Sequence, residues 1–373
     1  MKQPKILFLV AIALLPLMLV SCSLFGGAPV SGGWAGTAFR DGIIYAGSRD
    51  GRVVAINAST REMQWQWPDS TTTRSLIYTT PIVYGDLVYV GTYSGQMYAL
   101  TADRGIERWV YPRTGTMGAV VGRPVVANET VYACSSDGRV YALDTTYGDL
   151  RWKSEPLADK LWTSPAVLGD TLYVSTFDGH IYSLSSETGQ LLNWSFQSEA
   201  GFTSSPVMYE GTLFLGSFDR YLYAIEMGGN VLMWKFPEEK PAGNWFWTSP
   251  IASEGIVCAG CLDGKLYAIW AETGEEMWEF DAEGPIVSSP VLIDNLLVIA
   301  NESGVVYVFD ISAEFEGDAV PLKTISIGAS VRSSFCANDG LVYIRGEDNS
   351  VYVVDIDKGE VADGWPVSLT IEE

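Results

Sequence analysis

The chain has 373 residues, of which 45 are acidic and 23 basic, for a formal net charge of −22. So acidic a surface repels phosphate backbones and anionic lipid headgroups, which excludes nucleic-acid binding and a role lying flat on a membrane. The one histidine, His180, leaves almost no basis for a histidine-activated nucleophile or a histidine-rich metal site.

Lys2 and Lys5 open the chain, and an apolar run from Ile6 to Val20 follows, interrupted by Pro16. The run has the length of a signal-peptide core and is too short and broken for a membrane span. It ends in Leu19-Val20-Ser21-Cys22, which resembles the bacterial lipobox. That resemblance implies that residues 1–21 are a lipoprotein signal peptide and that Cys22 is lipidated as the new N-terminus; the alternative is an ordinary cleaved signal. Residues 22–33 are uncharged and Gly-rich, which reads as a flexible tether. Residues 34–373 remain for the folded part, long enough for two average domains or one large repeat fold.

From there the sequence repeats. The segment from Val88 to Leu100 recurs with small changes, and Tyr98 within it serves as an anchor. The equivalent positions are Val54, Tyr98, Tyr141, Tyr182, Tyr223, Tyr267, Tyr307 and Tyr352, spaced by 40 to 45 residues. That is the length of one four-stranded propeller blade. A second anchor stands 17 residues before each, at Thr37, Pro81, Pro124, Pro165, Pro206, Pro250, Pro290 and Phe335. Because this distance never varies, all length change falls between one unit's tyrosine and the next unit's proline, as rigid strands with variable loops require.

Each unit reads as four strands. In the fourth, Ser164 to Leu168 is a short apolar run, Gly169-Asp170 turns, Thr171 to Ser175 continues, and Asp178-Gly179 turns into His180 to Leu184. Asp-Gly between alternating apolar residues predicts a tight hairpin with a primed turn, because glycine takes positive φ freely. Thr188-Gly189 and Thr273-Gly274 then lead into a fourth strand that carries a tryptophan. Trp65, Trp109, Trp152, Trp234 and Trp278 fall 11 residues after the anchor, Trp194 at 12 and Trp365 at 13. The seventh unit, acidic and irregular from Asp310 to Pro321, has none. A buried tryptophan removes about 150–250 Å² from water, so these seven are expected to wedge the blades together. Seven residues before the anchor the side chain stays small, at Gly47, Gly91, Cys134, Ser175, Gly216, Gly260 and Ala300, with Arg345 the exception. Close approach of a neighbouring group follows, with the large aromatic of the adjacent blade as the expected neighbour. Eight such units can close into a ring that leaves no long strand edge exposed. The predicted fold is all-β, an eight-bladed β-propeller of four-stranded antiparallel blades, monomeric, with each blade drawn from one continuous segment. Whether residues 28–34 add a closing strand stays open.

The pattern Tyr-Ala-Leu-Asp, Thr-Gly, Trp stands here as Tyr141-Ala142-Leu143-Asp144 with Gly148 and Trp152, and as Tyr267-Ala268-Ile269 with Thr273-Gly274 and Trp278. It resembles the repeat of the pyrroloquinoline-quinone-like (PQQ-like) propeller family, from about Trp34 to Val367. The resemblance speaks to fold much more than to function. One branch of that family, the PQQ-dependent dehydrogenases, holds the quinone with calcium in its central channel. Another comprises non-catalytic lipoproteins of the BamB type, which serve outer-membrane protein assembly. The dehydrogenase branch implies a longer chain, a pair of adjacent cysteines under the quinone, and Glu, Asn and Asp as calcium ligands and base; this chain has no adjacent cysteines.

Cys258 and Cys261 are the closest pair, on what reads as one strand. Three residues along a strand separate α-carbons by roughly 10 Å, beyond the ~7 Å reach of a disulfide. No second pair supports a metal site, and Leu262 stands where haem attachment needs a histidine. By register Cys258 takes the slot of Tyr45 and Tyr89, Cys261 that of Ser48 and Thr92, and Cys134 the small position, while Cys336 follows the second anchor. All four read as small apolar fillers. His180 follows Asp178-Gly179 at a turn position expected to be exposed. No catalytic residue, metal ligand or cofactor is assigned.

Contact residues are expected in the loops leading into the first strands, four of which are longer: Trp67 to Tyr78, Val110 to Val120, Phe236 to Phe246, and Ile311 to Ser330. Within Asn244-Trp245-Phe246-Trp247, Phe246 and Trp247 align with repeat positions, whereas Trp245 belongs to an insertion and is the expected exposed contact. Arg123 and Arg332 break a Thr/Ser pattern beside the second anchors. They are candidates to hold an anion or a partner's carboxylate, the alternative being internal salt bridges across the channel. The functional expectation is a non-catalytic, extracytoplasmic lipoprotein of the cell envelope that binds another envelope protein in an assembly role and meets the membrane only through its lipid. It would sit on the periplasmic face of an outer membrane where the cell has one, and otherwise on the outer face of the cytoplasmic membrane. A small-molecule or glycan-binding propeller and a PQQ-dependent dehydrogenase are the alternatives.

Overall fold

The computed structural model describes residues 35–68, 75–312 and 319–370; the signal segment, Cys22, the tether and Trp34 lie outside the described residues. The described residues form eight antiparallel sheets, each from one continuous segment: 37–67, 82–111, 125–153, 166–197, 207–236, 251–281, 291–326 and 336–368. These are blades 1 to 8. In blade 4 the strands Ala166–Leu168, Thr171–Ser175, His180–Ser185 and Leu191–Gln197 lie side by side in chain order. The first strand of blade 1 contacts those of both blade 2 and blade 8, so the ring closes. The architecture is the eight-bladed propeller that the repeat predicts.

The core is not central. Eight hydrophobic clusters each straddle two neighbouring blades, from blades 1 and 2 round to blades 8 and 1. The tryptophans show how a seam is built. Trp65, Trp109, Trp152 and Trp234 lie against Gly105, Gly148, Gly189 and Gly274 of the next blade, so closely that a Cβ there would come within 2.3 to 2.6 Å of the indole. These glycines occupy the turn before the fourth strand at φ of 66°, 67°, 71° and 76°, a conformation in which they also have no Cβ to strain. The indole Nε1–H then donates to a carbonyl of the next blade: Trp65 to Ala102 at 2.9 Å, Trp109 to Thr145 at 2.9 Å, Trp152 to Ser186 at 3.0 Å and Trp234 to Ala271 at 2.9 Å. The hydroxyls of Tyr45, Tyr89 and Tyr132 reach the same carbonyls in their seams.

Where the repeat departs from this pattern, the seam is adapted. Trp194 faces a turn whose left-handed residue is Asn230 (φ 56°) rather than glycine, donates to its carbonyl at 3.4 Å, and stays half-buried. Trp278 stacks on Phe309 of blade 7 with centroids 5.7 Å apart. In blade 7 the slot opposite Val308, which holds tryptophan in five other blades, is Lys323. Its methylene stem covers Gly359 of blade 8, a long aliphatic chain doing the work of the missing ring. The fourth strand of blade 8 is split into Glu360–Val361 and Val367–Ser368, and Trp365 sits in the break between them. It packs, half-buried, on the seam with blade 1, across which Arg61 Nη1 donates to the Asp363 carbonyl at 2.9 Å.

Three expectations need correction. Among the glycines at the small position seven residues before the anchor, only Gly216 meets a large aromatic of the adjacent blade, Phe246. A Cβ on Gly91, Gly216 or Gly260 would meet Val120, Phe246 or Ile286, the apolar residue of the next blade's lead-in loop. The hairpin between second and third strands is wider than a two-residue primed turn: in blade 1 Gly51 N–H bonds to Ser48 O at 3.2 Å and Ser48 N–H to Arg52 O at 2.7 Å, with Gly51 at φ 82°. His180 is half-buried rather than exposed, stacked on Tyr182 at 5.5 Å with Nδ1 3.2 Å from Asp178. Among the described residues no strand preceding Thr37 joins blade 8; the ring is closed by Thr37 Oγ1 donating to Tyr343 O at 2.6 Å and by Phe39 stacking on Tyr343 at 4.7 Å.

Replacing Trp109 by Ala should lower stability by about 3–5 kcal/mol in urea unfolding followed by far-UV circular dichroism. Gly148→Ala should cost clearly more than Gly211→Ala. Both positions have positive φ, about 1–2 kcal/mol for a residue with a Cβ, but the Gly211 side opens to empty space while Gly148 lies under Trp109. Equal losses for the two would contradict the wedge.

Candidate binding face and central channel

Two sets of loops meet at one face of the ring: the turns between second and third strands, and the lead-in loops before the first strands. Backbone bonds tie them together, as in Phe177 N–H to Lys160 O (3.0 Å), Phe218 N–H to Gly201 O (2.9 Å) and Leu262 N–H to Trp245 O (3.0 Å). The side chains they carry differ sharply around the ring.

Over blades 4 to 6 they form an arc of aromatic rings in contact. Trp162 lies 5.1 Å from Phe177, Phe177 5.2 Å from Phe218, and Phe218 4.7 Å from Trp245 and 6.2 Å from Trp247, centroid to centroid. All five are half-buried, so each presents part of its ring to solvent. Trp245 is thus not a free-standing exposed side chain: it packs edge-on against Phe218 of the neighbouring blade, and its carbonyl is held by the turn of its own blade. Lys160 Nζ stands 5.8 Å from the Trp162 ring centroid at one end of the arc. Phe177 and Phe218 are the contact residues that the loop-length argument does not find. They occupy the column five residues before the anchor, whose other members are Arg49, Tyr93, Ser136, Leu262, Glu302 and Glu347.

Over blades 7, 8 and 1 the same face is ionic. Arg332 pairs with Glu302, and Arg49 N–H bonds to Asn349 Oδ1 at 2.7 Å, with its guanidinium against Glu347 O at 3.5 Å. Arg332 is therefore an internal ion pair at the rim. Arg345, fully buried, lies 3.5 Å from Glu347, and burial holds its guanidinium below the ordinary range.

Arg123 is placed differently. It precedes the first strand of blade 3 and keeps part of its side chain exposed, while the protein packed around the guanidinium desolvates it and holds it below the ordinary range. First strands of neighbouring blades lie against one another round the ring, as those of blades 1 and 2 and of blades 4 and 5 do, so a residue that immediately precedes one stands at the inner wall. The structure therefore does not bring Arg123, Arg332 and Trp245 into one site: Trp245 belongs to the aromatic arc, Arg332 to the ionic rim, Arg123 to the channel.

The acidic turn residues have a structural use. The anchor tyrosine's hydroxyl donates to the turn aspartate four residues earlier in Tyr141–Asp137 (2.6 Å), Tyr267–Asp263 (2.9 Å) and Tyr352–Asp348 (2.7 Å), and in Tyr223–Asp219. Burial lifts the Asp219 carboxyl above the ordinary range, against the bonds it receives from Tyr223 and from Tyr221 N–H. On the outer edge between blades 2 and 3 a cleft of about 510 Å³ is lined by Arg108, Arg113, Tyr147 and Asp149, of which Arg113 and Asp149 already pair at 2.7 Å.

The family described as outer membrane protein assembly factor BamB matches residues 25–227, 136–252 and 228–313. The chain belongs to this family. Among solved structures it is similar to BamB from Moraxella catarrhalis, at 20% identity over 86% of this chain and 93% of that one with a TM-score of 0.70. It is similar also to the computationally designed Ika8 protein, at 17% identity over 86% and 95% with a TM-score of 0.72. A europium-containing methanol dehydrogenase shares 15% identity over 87% of this chain and 82% of that one, with a TM-score of 0.66. No curated protein matches the sequence. At these identities the likenesses establish the shared propeller, and the family match carries the assignment.

The dehydrogenase branch asks for a quinone and calcium, and the donor set does not fit them. Cys258 and Cys261 point into two different seams, those of blades 6–7 and 5–6, so they form no adjacent pair. Among the described residues no group of three or more His, Cys, Asp or Glu side chains is placed to hold a metal ion. Burial pushes the Cys258 thiol up to about 12 and that of Cys336 to about 11, and raises Cys134 and Cys261 as well. A raised thiol pKa means less thiolate at a given pH, so these cysteines should be sluggish nucleophiles. With Ellman's reagent at pH 8 the native protein should leave Cys134, Cys258 and Cys261 unmodified, and all three should react once urea unfolds it. Reaction of Cys258 or Cys261 in the folded state would show a reactive pair that the seams do not provide.

Proposed function

We propose that this chain is a non-catalytic, lipid-anchored scaffold of the cell envelope that docks another envelope protein in outer-membrane protein assembly. Membership of the assembly-factor family supports the general role. The observation that carries the docking is the arc of touching, half-exposed rings over blades 4 to 6, which gives a rigid, partly apolar surface of the kind that anchors protein partners. Anchoring rests on Cys22 behind its apolar run, with residues 22–33 as tether and the signal over residues 1–21 removed. The lipid would place the propeller on the periplasmic face of the outer membrane.

The partner segment that suits this surface is extended, with apolar side chains to lie on the rings and lysine or arginine beside them. A chain of net charge −22 draws such a segment in, and the partly desolvated carboxylate of Asp219, next to Phe218 in the arc, is stabilised by a cation set against it.

In a pull-down from detergent-solubilised envelopes the native chain should retain one envelope protein in stoichiometric amount. The double variant Phe218→Ala/Trp245→Ala should lose at least nine-tenths of it while keeping its circular dichroism spectrum. Equal retention by the variant, or no stoichiometric partner at all, would overturn the docking reading. Cys22→Ala should release the protein from the membrane fraction into the soluble one without altering the partner bound by the purified propeller.

A further inference from the structure

Before six of the eight first strands the chain carries a pair of hydroxyl residues, Thr79-Thr80, Thr163-Ser164, Ser204-Ser205, Thr248-Ser249, Ser288-Ser289 and Ser333-Ser334, while blade 1 has Ala35-Gly36 there. Both members do structural work. The first closes its own blade by bonding to the end of the second strand, as Thr79 Oγ1 does to Gly91 O and Thr248 Oγ1 to Gly260 O, both at 2.9 Å, and Ser333 Oγ to Arg345 O at 3.0 Å. The second links blades. Ser205, Ser249 and Ser289 accept the backbone N–H of Ser164, Ser205 and Ser249 at 2.9, 3.0 and 3.0 Å, and Thr80 accepts that of Gly36 at 3.2 Å. A belt of half-exposed hydroxyls therefore runs round the inner wall of the ring. The hydroxyl oxygens of Thr80, Ser205, Ser249 and Ser289 are thus occupied as acceptors, which leaves their own O–H groups as donors.

Blade 3 breaks the belt at both positions, with Gly122-Arg123. Gly122 has no side chain to close the blade, and a Cβ there would lie 2.4 Å from the backbone of Thr163. Arg123 forms no hydrogen bond or ion pair among the described residues, although the chain has 45 carboxylates to offer; part of its side chain is exposed, and the guanidinium is desolvated enough by its surroundings to lie below the ordinary range. Two structural bonds that other blades make are absent where an unpaired guanidinium is set among neutral hydroxyls.

We propose that the central channel binds a small polycarboxylate anion, held by the Arg123 guanidinium and by hydroxyl donors of the belt. A planar guanidinium pairs a carboxylate through two parallel N–H bonds, and the serine and threonine O–H groups take further carboxylate oxygens. The site lies on the inner wall, apart from the aromatic arc, so it does not depend on the docking reading above.

Citrate is the probe, titrated against the full-length protein with sodium chloride at matched ionic strength as control. The native chain should bind it saturably by calorimetry and show a rise in unfolding midpoint with citrate. Arg123→Ser, which restores the hydroxyl that other blades carry, should leave the citrate-free midpoint unchanged or higher and weaken citrate at least tenfold. Arg123→Lys should weaken it less than Arg123→Ser. Absence of saturable binding to the native chain, or binding by Arg123→Ser as tight as native, would overturn the proposal.

Discussion

The fold depends on a contact made across six of the eight seams: a large side chain at the fourth strand of one blade set against the left-handed turn of the next. A propeller has no common centre to bury, so each blade must find its hydrophobic partner on either side. The indole suits this task because it combines about 150–250 Å² of apolar area with one directional donor. The area excludes water from the seam, and Nε1–H fixes the depth at which the ring sits by reaching a carbonyl of the next blade. Glycine on the receiving side serves twice, by taking positive φ and by letting the ring come within contact of the backbone. The exceptions obey the same demand. Lys323 lays a methylene chain on Gly359, and Asn230 substitutes for glycine where Trp194 is less deeply seated.

Much of this was legible in the amino-acid sequence, because repetition exposes whatever is held in register. The 17-residue spacing of the two anchors, the tryptophans and the small positions together imply blade count, strand order and closure. What spacing within one blade does not tell is the destination of a side chain in the next. Gly91 receives Val120 rather than an aromatic, and Trp109 goes to Gly148, a position outside the small column. Trp365 illustrates a second limit. It stands 13 residues past its anchor, close enough to look like a late wedge, but pairing places Val367 opposite Val351 and leaves Trp365 in a break of the strand.

The binding face was harder to read for the opposite reason. Loop length and insertion point to Trp245, but the rings that support it, Phe177 and Phe218, belong to a column whose identity changes from arginine to glutamate around the ring. A column in fixed register with variable chemistry is where a repeat protein differentiates its blades, since packing constrains the other columns. Arg123 was visible as a broken Thr/Ser pattern; that Gly122 beside it also gives up a bond emerges only once Thr79, Thr248 and Ser333 are seen closing their blades.

The seams also determine what kind of surface the face can be. Its turns are the ends of strands clamped on both sides, and its lead-in loops are bonded to those turns, so the aromatic arc is held in place before any partner arrives. A surface already ordered loses little conformational freedom on binding, which matters when the contact area is a handful of rings. The ionic half of the same face works in the other direction: Glu302 is already satisfied by Arg332, so a partner that covers it must displace an existing pair for little return. Docking confined to blades 4 to 6, as proposed, would leave blades 7, 8 and 1 uncovered and the inner wall that carries Arg123 unobstructed.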